Sequence, residues 1–261
     1  MNFIRRFELR QIYHPRAEWE AQPSDLGRAF EDIFITTPDG VKLSAWFFPA
    51  ENNSPRRNKV MLVCHGNGGN ISHRLQLTRL LLGTGTAVLL FDYRGYGRSS
   101  GAPDEEGTYV DAQAAYQWLR GRGFVERNII AFGESLGGAV AAELALRELL
   151  GGLVLQSTFT GIVDVGRELL WWLPVRWLNT IKYDTRAKLP RTKVPVLVMH
   201  SRDDTLVQFH HAEQNFAAAN EPKLFQETEG DHNDSLFLEP GLGAKGLEKF
   251  LQLIEGRAKE S

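Results

Sequence analysis

Gly133-Glu134-Ser135-Leu136-Gly137 is the segment of this chain best suited to chemistry, because of what stands on either side of it. Asn128-Ile129-Ile130-Ala131-Phe132 precedes it, an apolar and β-branched run that reads as a buried strand. Gly138-Ala139-Val140-Ala141-Ala142-Glu143-Leu144-Ala145-Leu146 follows, rich in helix formers. A serine in so tight a strand-to-helix turn needs small neighbours, since a Cβ two positions away on either side would strike nearby backbone. Ser135 would then stand at a helix N-terminus, where unpaired amides favour developing negative charge. A serine so placed becomes a nucleophile once a base takes its proton. Four histidines lie downstream, His200, His210, His211 and His232. His232 sits in the polar loop Glu229-Gly230-Asp231-His232-Asn233-Asp234 after the strand-like Lys223 to Thr228, from which an imidazole can reach back over the sheet edge. His210 and His211 open a helix-like stretch, and the adjacent pair reads as solvated helix rather than as a base or a metal site. Asp203 and Asp204, directly after the strand-like Val194 to His200, are two carboxylates that compete for the role of orienting such a base.

A second loop bears on the same chemistry. Lys59 to Cys64 is a buried run that passes into His65-Gly66-Asn67-Gly68-Gly69-Asn70, whose glycines let backbone come close to a substrate. A phosphate cradle is the competing reading, but no Gly-Lys-Ser/Thr follows. Cys64 ends the buried run without a turn of its own and reads as an inert core thiol. His65 reads as structural, as do Asp92 and Arg94 in the turn Phe91 to Ser99, while no partner can be named for Asp164.

Taken together these segments resemble the serine-hydrolase branch of the α/β-hydrolase superfamily, especially its compact ABHD-type esterases and thioesterases. Five segments in order carry the resemblance: Thr37 to Leu43, the His65 to Asn70 loop, Phe91 to Ser99, the serine turn, and the Asp204/His232 pair. The resemblance covers the chain from near residue 31 to residue 255. The resemblance implies a catalytic order of serine, acid, histidine. It also favours Asp204 over Asp203, because in the family's acid loop the strand-end histidine is followed four residues later by the acid and seven later by valine. His200, Asp204 and Val207 keep that spacing. Gln208 stands where members often carry proline, which touches loop shape rather than chemistry. By the same resemblance the amides of Asn67 and Leu136 form the oxyanion hole. Members include carboxylesterases, acyl-thioesterases, lipid hydrolases and proteins labelled serine peptidases, so the likeness speaks to mechanism more than to substrate. No cofactor and no metal are implied.

The elements that must hold these residues follow from periodicity. Glu31 to Thr36 and Val41 to Pro49 read as a hairpin across Pro38-Asp39-Gly40. Buried strands are expected at Val60–Cys64, Ala87–Asp92, Ile129–Phe132 and Leu153–Gln156, and later ones near Val196–His200 and Lys223–Glu227. Helical stretches lie near Ser72–Leu82, Glu105–Arg120, Leu136–Leu149 and Ala244–Glu255. Such alternation predicts an α/β fold, a mostly parallel twisted sheet with helices on both faces. The expected organisation is an N-terminal arm, residues 1–30, packed on one hydrolase domain, residues 31–261. Residues 161–191 are too long for one crossover and should form a small helical cap. Trp171, Trp172 and Trp177 make that cap apolar, and are read either as an acyl-binding pocket or as glue between cap and domain. Gly241 to Gly246 matches a dinucleotide fingerprint, but no strand precedes it.

Bulk properties agree. A chain of 261 residues with 43% hydrophobic content can bury one sizeable core. A formal charge of −2 lacks the basic footprint that nucleic acid requires. The single cysteine excludes an internal disulfide and suits a reducing, cytoplasmic setting. No signal peptide and no run of about 20 apolar residues is present, so an integral membrane protein is not expected. Phe3 and Phe7 share a helical face beside Arg5, Arg6 and Arg10, which leaves weak contact with a membrane surface open. The expected partner is a small ester or acyl compound with an apolar, short-to-medium acyl group. Amide or peptide cleavage by the same three residues is an alternative, and a noncatalytic binding protein on this fold is another.

Overall fold

The computed structural model describes residues 3–169 and 180–260. Eight strands form one sheet: β1 (Glu31–Thr36), β2 (Lys42–Phe48), β3 (Val60–Cys64), β4 (Ala87–Phe91), β5 (Ile129–Glu134), β6 (Gly152–Gln156), β7 (Val196–Ser201) and β8 (Lys223–Thr228). Their spatial order is β1-β2-β4-β3-β5-β6-β7-β8. Only β2 runs against its neighbours, so every pairing from β4 to β8 is parallel. The described helices are α1 (Phe3–Ile12), α2 (Leu75–Gly83), α3 (Glu105–Gly121), α4 (Leu136–Arg147), α5 (Ile162–Leu169), α6 (Thr185–Lys188), α7 (Phe209–Ala218) and α8 (Pro240–Glu260).

Strands buried on both faces explain the unbroken apolar runs in β3, β4 and β6. Successive side chains point to opposite sides, and the core divides accordingly. Val60, Leu62 and Cys64 of β3 join α3, α4 and α7 on one face. Met61 and Val63 join α2 and α8 on the other. The capping is also legible: Asp104 accepts the Gly107 amide at 2.7 Å at the start of α3, ahead of Glu105 and Glu106. At the start of α2 the structure differs from expectation. Asn70 accepts the Ser72 amide and a short 3-10 turn, Ile71–Arg74, precedes α2. The Gly241 to Gly246 match is simply the first turns of α8.

β3 has β4 on one side and β5 on the other, while α2 and α4 leave their strands on opposite faces. The strand order therefore reverses between β3 and β5, and a crevice opens beyond their C-terminal ends, the usual ligand site of open α/β sheets. Cys64 pairs in register with Gly133 there, so the loop after β3 and the turn after β5 emerge side by side.

Two carboxylates hold the chain that returns after residue 179. Glu8 of α1 accepts the amides of Thr180 at 2.8 Å and Ile181 at 2.9 Å, and Glu105 of α3 accepts those of Lys182 and Tyr183, both at 2.8 Å. Tyr13 and Tyr183 share a hydroxyl contact of 2.7 Å nearby. Trp171, Trp172 and Trp177 lie outside the described residues, as do the side chains of Phe3 and Phe7.

Candidate active site

Ser135 links β5 to α4 with φ 53° and ψ −116°, a conformation that costs an L-residue energy and that its neighbours must enforce. Its amide donates to the Gln156 carbonyl at 2.9 Å, and its carbonyl accepts from Gly138 at 3.0 Å. A Cβ at Gly137 would overlap the Cys64 carbonyl, and one at Gly133 would overlap the backbone of Gly138. The glycines therefore let the turn press against the end of β3. Gly138 is a third such position, because a Cβ there would overlap Thr158.

The three expected side chains meet. His232 Nε2 lies 3.0 Å from Ser135 Oγ, and His232 Nδ1 lies 2.7 Å from Asp204 Oδ2. An ionised carboxylate only accepts, so Nδ1 carries the ring proton and Nε2 presents a lone pair to the serine hydroxyl. Ser135 and Asp204 are buried, and the His232 side chain keeps 9% of its surface exposed. Asp204 Oδ1 accepts the amides of Leu206 at 3.0 Å and Val207 at 2.8 Å. Burial alone would raise the Asp204 carboxyl. Hydrogen bonds from His200 and His232, the charge of His232 and the Val207 amide outweigh that and hold it well below the usual carboxylate range. Asp203 is exposed and makes none of these contacts through its side chain.

His200 gains a role that its place in the spacing did not reveal. Its Nε2 donates to the Val207 carbonyl at 2.7 Å and lies 3.3 Å from Asp204 Oδ2, so it braces both ends of the acid loop. His65 is structural, with Nδ1 donating to the Gly66 carbonyl at 2.7 Å and burial pushing its pKa down to about 3. Cys64 is buried, and burial pushes its thiol up to about 12. Arg94 braces the turn after β4 through Asp111 and Asp39, and Asp164 accepts from Thr160 at 2.7 Å.

Asn67, in the loop after β3, is held by three bonds: its carbonyl accepts from the His14 amide and the Tyr96 hydroxyl, and its Nδ2 donates to the Ile12 carbonyl. Among the described residues neither the Asn67 amide nor the Leu136 amide has an acceptor, so both are free to receive one. An anchor of this loop left no trace in the sequence. Arg74 binds Glu134 through two contacts of 3.0 and 3.2 Å, and Glu134 also accepts the Gly66 amide at 3.4 Å. Burial would raise the Glu134 carboxyl, but the guanidinium beside it keeps it below its ordinary value. A cavity of about 560 Å³ opens on this side of His232, lined by Arg74, Gln76, Glu134, Gln156 and Asn233 with apolar Leu236 to Leu238.

One expectation is overturned. The His210 and His211 pair is not simply solvated: His211 is fully buried, and both rings face Glu168. The ring at 211 shares the inward face of α7 with Ala212 and Asn215, a spacing of one and four residues.

The chain's likenesses agree with this geometry. The profile of the alpha/beta hydrolase fold matches residues 59–187. An uncharacterized protein of Mycobacterium tuberculosis is 39% identical over 253 residues, covering 96% of this chain and 89% of its own. The alpha/beta hydrolase domain-containing protein WAV2 of Arabidopsis thaliana is 34% identical, covering 82% of this chain and 76% of its own. The Pyrococcus furiosus esterase Pf2001 superposes with a TM-score of 0.78 at 23% identity, over 94% of this chain and 97% of that one; in a second crystal form the values are 0.75 and 25%, over 92% and 98%. No described helix is long and apolar enough to cross a membrane. With its strand order, its serine turn and relatives matched along three quarters or more of their length, this chain belongs to the α/β hydrolase family.

Proposed function

We propose that the protein is a serine hydrolase of carboxylic esters, thioesters included, working through an acyl-enzyme. Ser135 is the nucleophile, His232 the general base and then acid, and Asp204 the group that fixes the imidazole tautomer and steadies its charged form. The observation that carries this reading is the unbroken relay of 3.0 and 2.7 Å from Ser135 Oγ through His232 to Asp204. Attack on the ester carbon moves the hydroxyl proton to Nε2, and the amides of Asn67 and Leu136 receive the carbonyl oxygen as it becomes an oxyanion. A donor of this kind contributes about 3 kcal/mol to the transition state. Collapse expels the alcohol, which takes the Nε2 proton, and water repeats the cycle to release the acid.

The substrate's two halves have different surroundings. The cavity beside His232 mixes Arg74, Gln76, Gln156 and Asn233 with leucines and a phenylalanine, which suits an alcohol with polar groups. Trp171, Trp172 and Trp177 are assigned to the acyl side, as an apolar pocket for a short-to-medium chain. Amide cleavage would gain from a free carboxylate to hold a peptide amine, but Glu134 is already paired with Arg74, so nothing favours it. The test is a panel of p-nitrophenyl esters from acetate to dodecanoate, an acyl-CoA thioester and an aminoacyl amide. Turnover should peak at the shorter esters and fall by about 10⁴-fold or more in Ser135→Ala. Equal rates for the wild type and Ser135→Ala, or a preference for charged acyl groups, would defeat the proposal.

A further inference from the structure

Ester chemistry leaves one titratable cluster unused. Glu168, near the end of α5, faces His210 and His211, the second and third residues of α7. Glu168 Oε1 lies 3.0 Å from His210 Nε2, and Oε2 lies 3.1 Å from His211 Nε2. The three ligand atoms sit within 4.8 Å of one another. Consecutive residues of a helix point about 100° apart, so adjacent side chains ordinarily diverge. Here the two rings stack, with centroids 4.4 Å apart, and turn the same nitrogen towards one carboxylate.

The far side of His211 is arranged as well. Its Nδ1 lies 2.9 Å from Thr160 Oγ1, and that hydroxyl donates to Asp164 Oδ2 at 2.7 Å. A threonine hydroxyl owns one hydrogen, so with Asp164 as its acceptor it can receive one from Nδ1 in the tautomer that leaves Nε2 bare. Nε2 then carries a lone pair pointed at a carboxylate oxygen. Two acceptors at that distance repel unless a proton or a metal ion lies between them. The Thr160 amide, 3.2 Å from Nδ1, serves the other tautomer, in which Nε2–H donates to Glu168. The pocket is thus equipped for both states, with and without a cation.

We propose that Glu168, His210 and His211 bind a divalent transition-metal ion, zinc being the natural occupant. Two imidazole nitrogens and one carboxylate oxygen favour zinc-like ions over magnesium or calcium, which prefer oxygen alone. Ligands at about 2.1 Å around a tetrahedral ion stand about 3.4 Å apart; the two carboxylate contacts of 3.0 and 3.1 Å are close to that spacing, and a tilt of the exposed His210 ring would bring its nitrogen onto the same ion. Thr160 and Asp164 form the outer contact that orients a metal-binding histidine. None of the three ligands belongs to the Ser135 relay, so the ion takes no part in ester cleavage. It joins α5, the stem leading into residue 170, to α7. Asn215 of α7 holds the carbonyls of Thr158 and Phe159, and a Cβ at Gly138 beside the serine turn would overlap Thr158. A bound ion would tether the end of α5 to α7 and, through Asn215, to the segment beside the serine turn.

The proposal is independent of the hydrolase reading and is tested by binding. Tag-free protein is stripped with EDTA, freed of chelator and titrated with Co(II), whose visible absorption reports a four- or five-coordinate nitrogen and oxygen site. The expected result is about one equivalent bound, displaced by Zn(II), with a rise in Tm as the ion binds the folded state. Glu168→Gln and His210→Gln should each weaken binding by about tenfold or more, while His14→Gln on an exposed segment leaves it unchanged. The His210 side chain is 40% and Glu168 29% exposed, so both variants should fold, which circular dichroism confirms. No saturable Co(II) signal, or wild-type affinity in both variants, would overturn the proposal and leave an ordinary ion pair.

Discussion

Asp204→Asn should damage this protein far more than Asp203→Asn, and the reason is geometric. Asp204 Oδ1 receives two backbone amides, from Leu206 and Val207 at 3.0 and 2.8 Å. Those donors select the oxygen of the substituted amide, which leaves its NH₂ in the place of Oδ2. That NH₂ then faces His232 Nδ1, now at 2.7 Å, and His200 Nε2 at 3.3 Å. Two donors cannot share one hydrogen bond, so His232 moves its proton to Nε2 and offers Ser135 a hydrogen instead of a lone pair. The wrong tautomer costs about 10⁴ in kcat, which is about 5 kcal/mol at 1.36 kcal/mol per decade. Losing a hydrogen bond to a charged group also removes about 2 kcal/mol of folding stability. Asp203 is exposed, so its substitution should change kcat by no more than about threefold. The assay is kcat and KM on p-nitrophenyl acetate for both variants, with thermal unfolding alongside. If Asp204→Asn kept kcat within tenfold of wild type, or if Asp203→Asn were the more damaging, the assignment of the orienting acid would be refuted.

Other substitutions probe the scaffold. Gly137→Ala forces a methyl group into the carbonyls of Cys64 and His65, so it should cost about 3 kcal/mol or prevent folding, whereas Gly121→Ala, with open space around it, should be close to neutral in thermal unfolding. Arg74→Gln strips the mostly buried Glu134 of its counter-charge and should cost about 2 kcal/mol, less than the ~3–5 of a fully buried pair; adding Glu134→Gln should restore part of that Tm. The folded-state pKa of Asp204 is depressed, so its stabilisation is complete above about pH 5 and is lost as pH falls through the folded value. The Tm gap between wild type and Asp204→Asn should therefore narrow on acidification; a gap that widens would contradict the depressed pKa.

Local chemistry made most of this site legible in the sequence. Small residues around Ser135 announce a turn that larger ones would block, and the strand and helix beside it are apolar enough to be recognised alone. The strands and helices along the chain followed from the same alternation, whereas the placing of β3 beside β5 rests on pairings between distant positions that periodicity does not reveal. What stayed hidden depends on contacts between distant positions. Asp203 and Asp204 are neighbours of one type, so residue chemistry alone did not separate them; the family spacing favoured Asp204, and the contacts with His232, Leu206 and Val207 are made by Asp204. Arg74 and Glu134 are 60 positions apart, with no pattern linking them. His211 differs, because its spacing from Asn215 was visible and marks an inward face; the polar character of both residues masked it. The start of α2 slipped because Asn70 caps a 3-10 turn first, and helix periodicity does not separate that turn from the helix.

The central claim is that the oxygen at position 135 attacks carbonyl carbon and carries the acyl group. Intact-protein and peptide mass spectrometry after a fluorophosphonate probe tests it most directly. A single adduct should form on the peptide holding Ser135, vanish in Ser135→Ala and form at least about 10³-fold more slowly in His232→Ala. An adduct on another residue, or an unmodified Ser135 in folded protein after prolonged exposure, would contradict it.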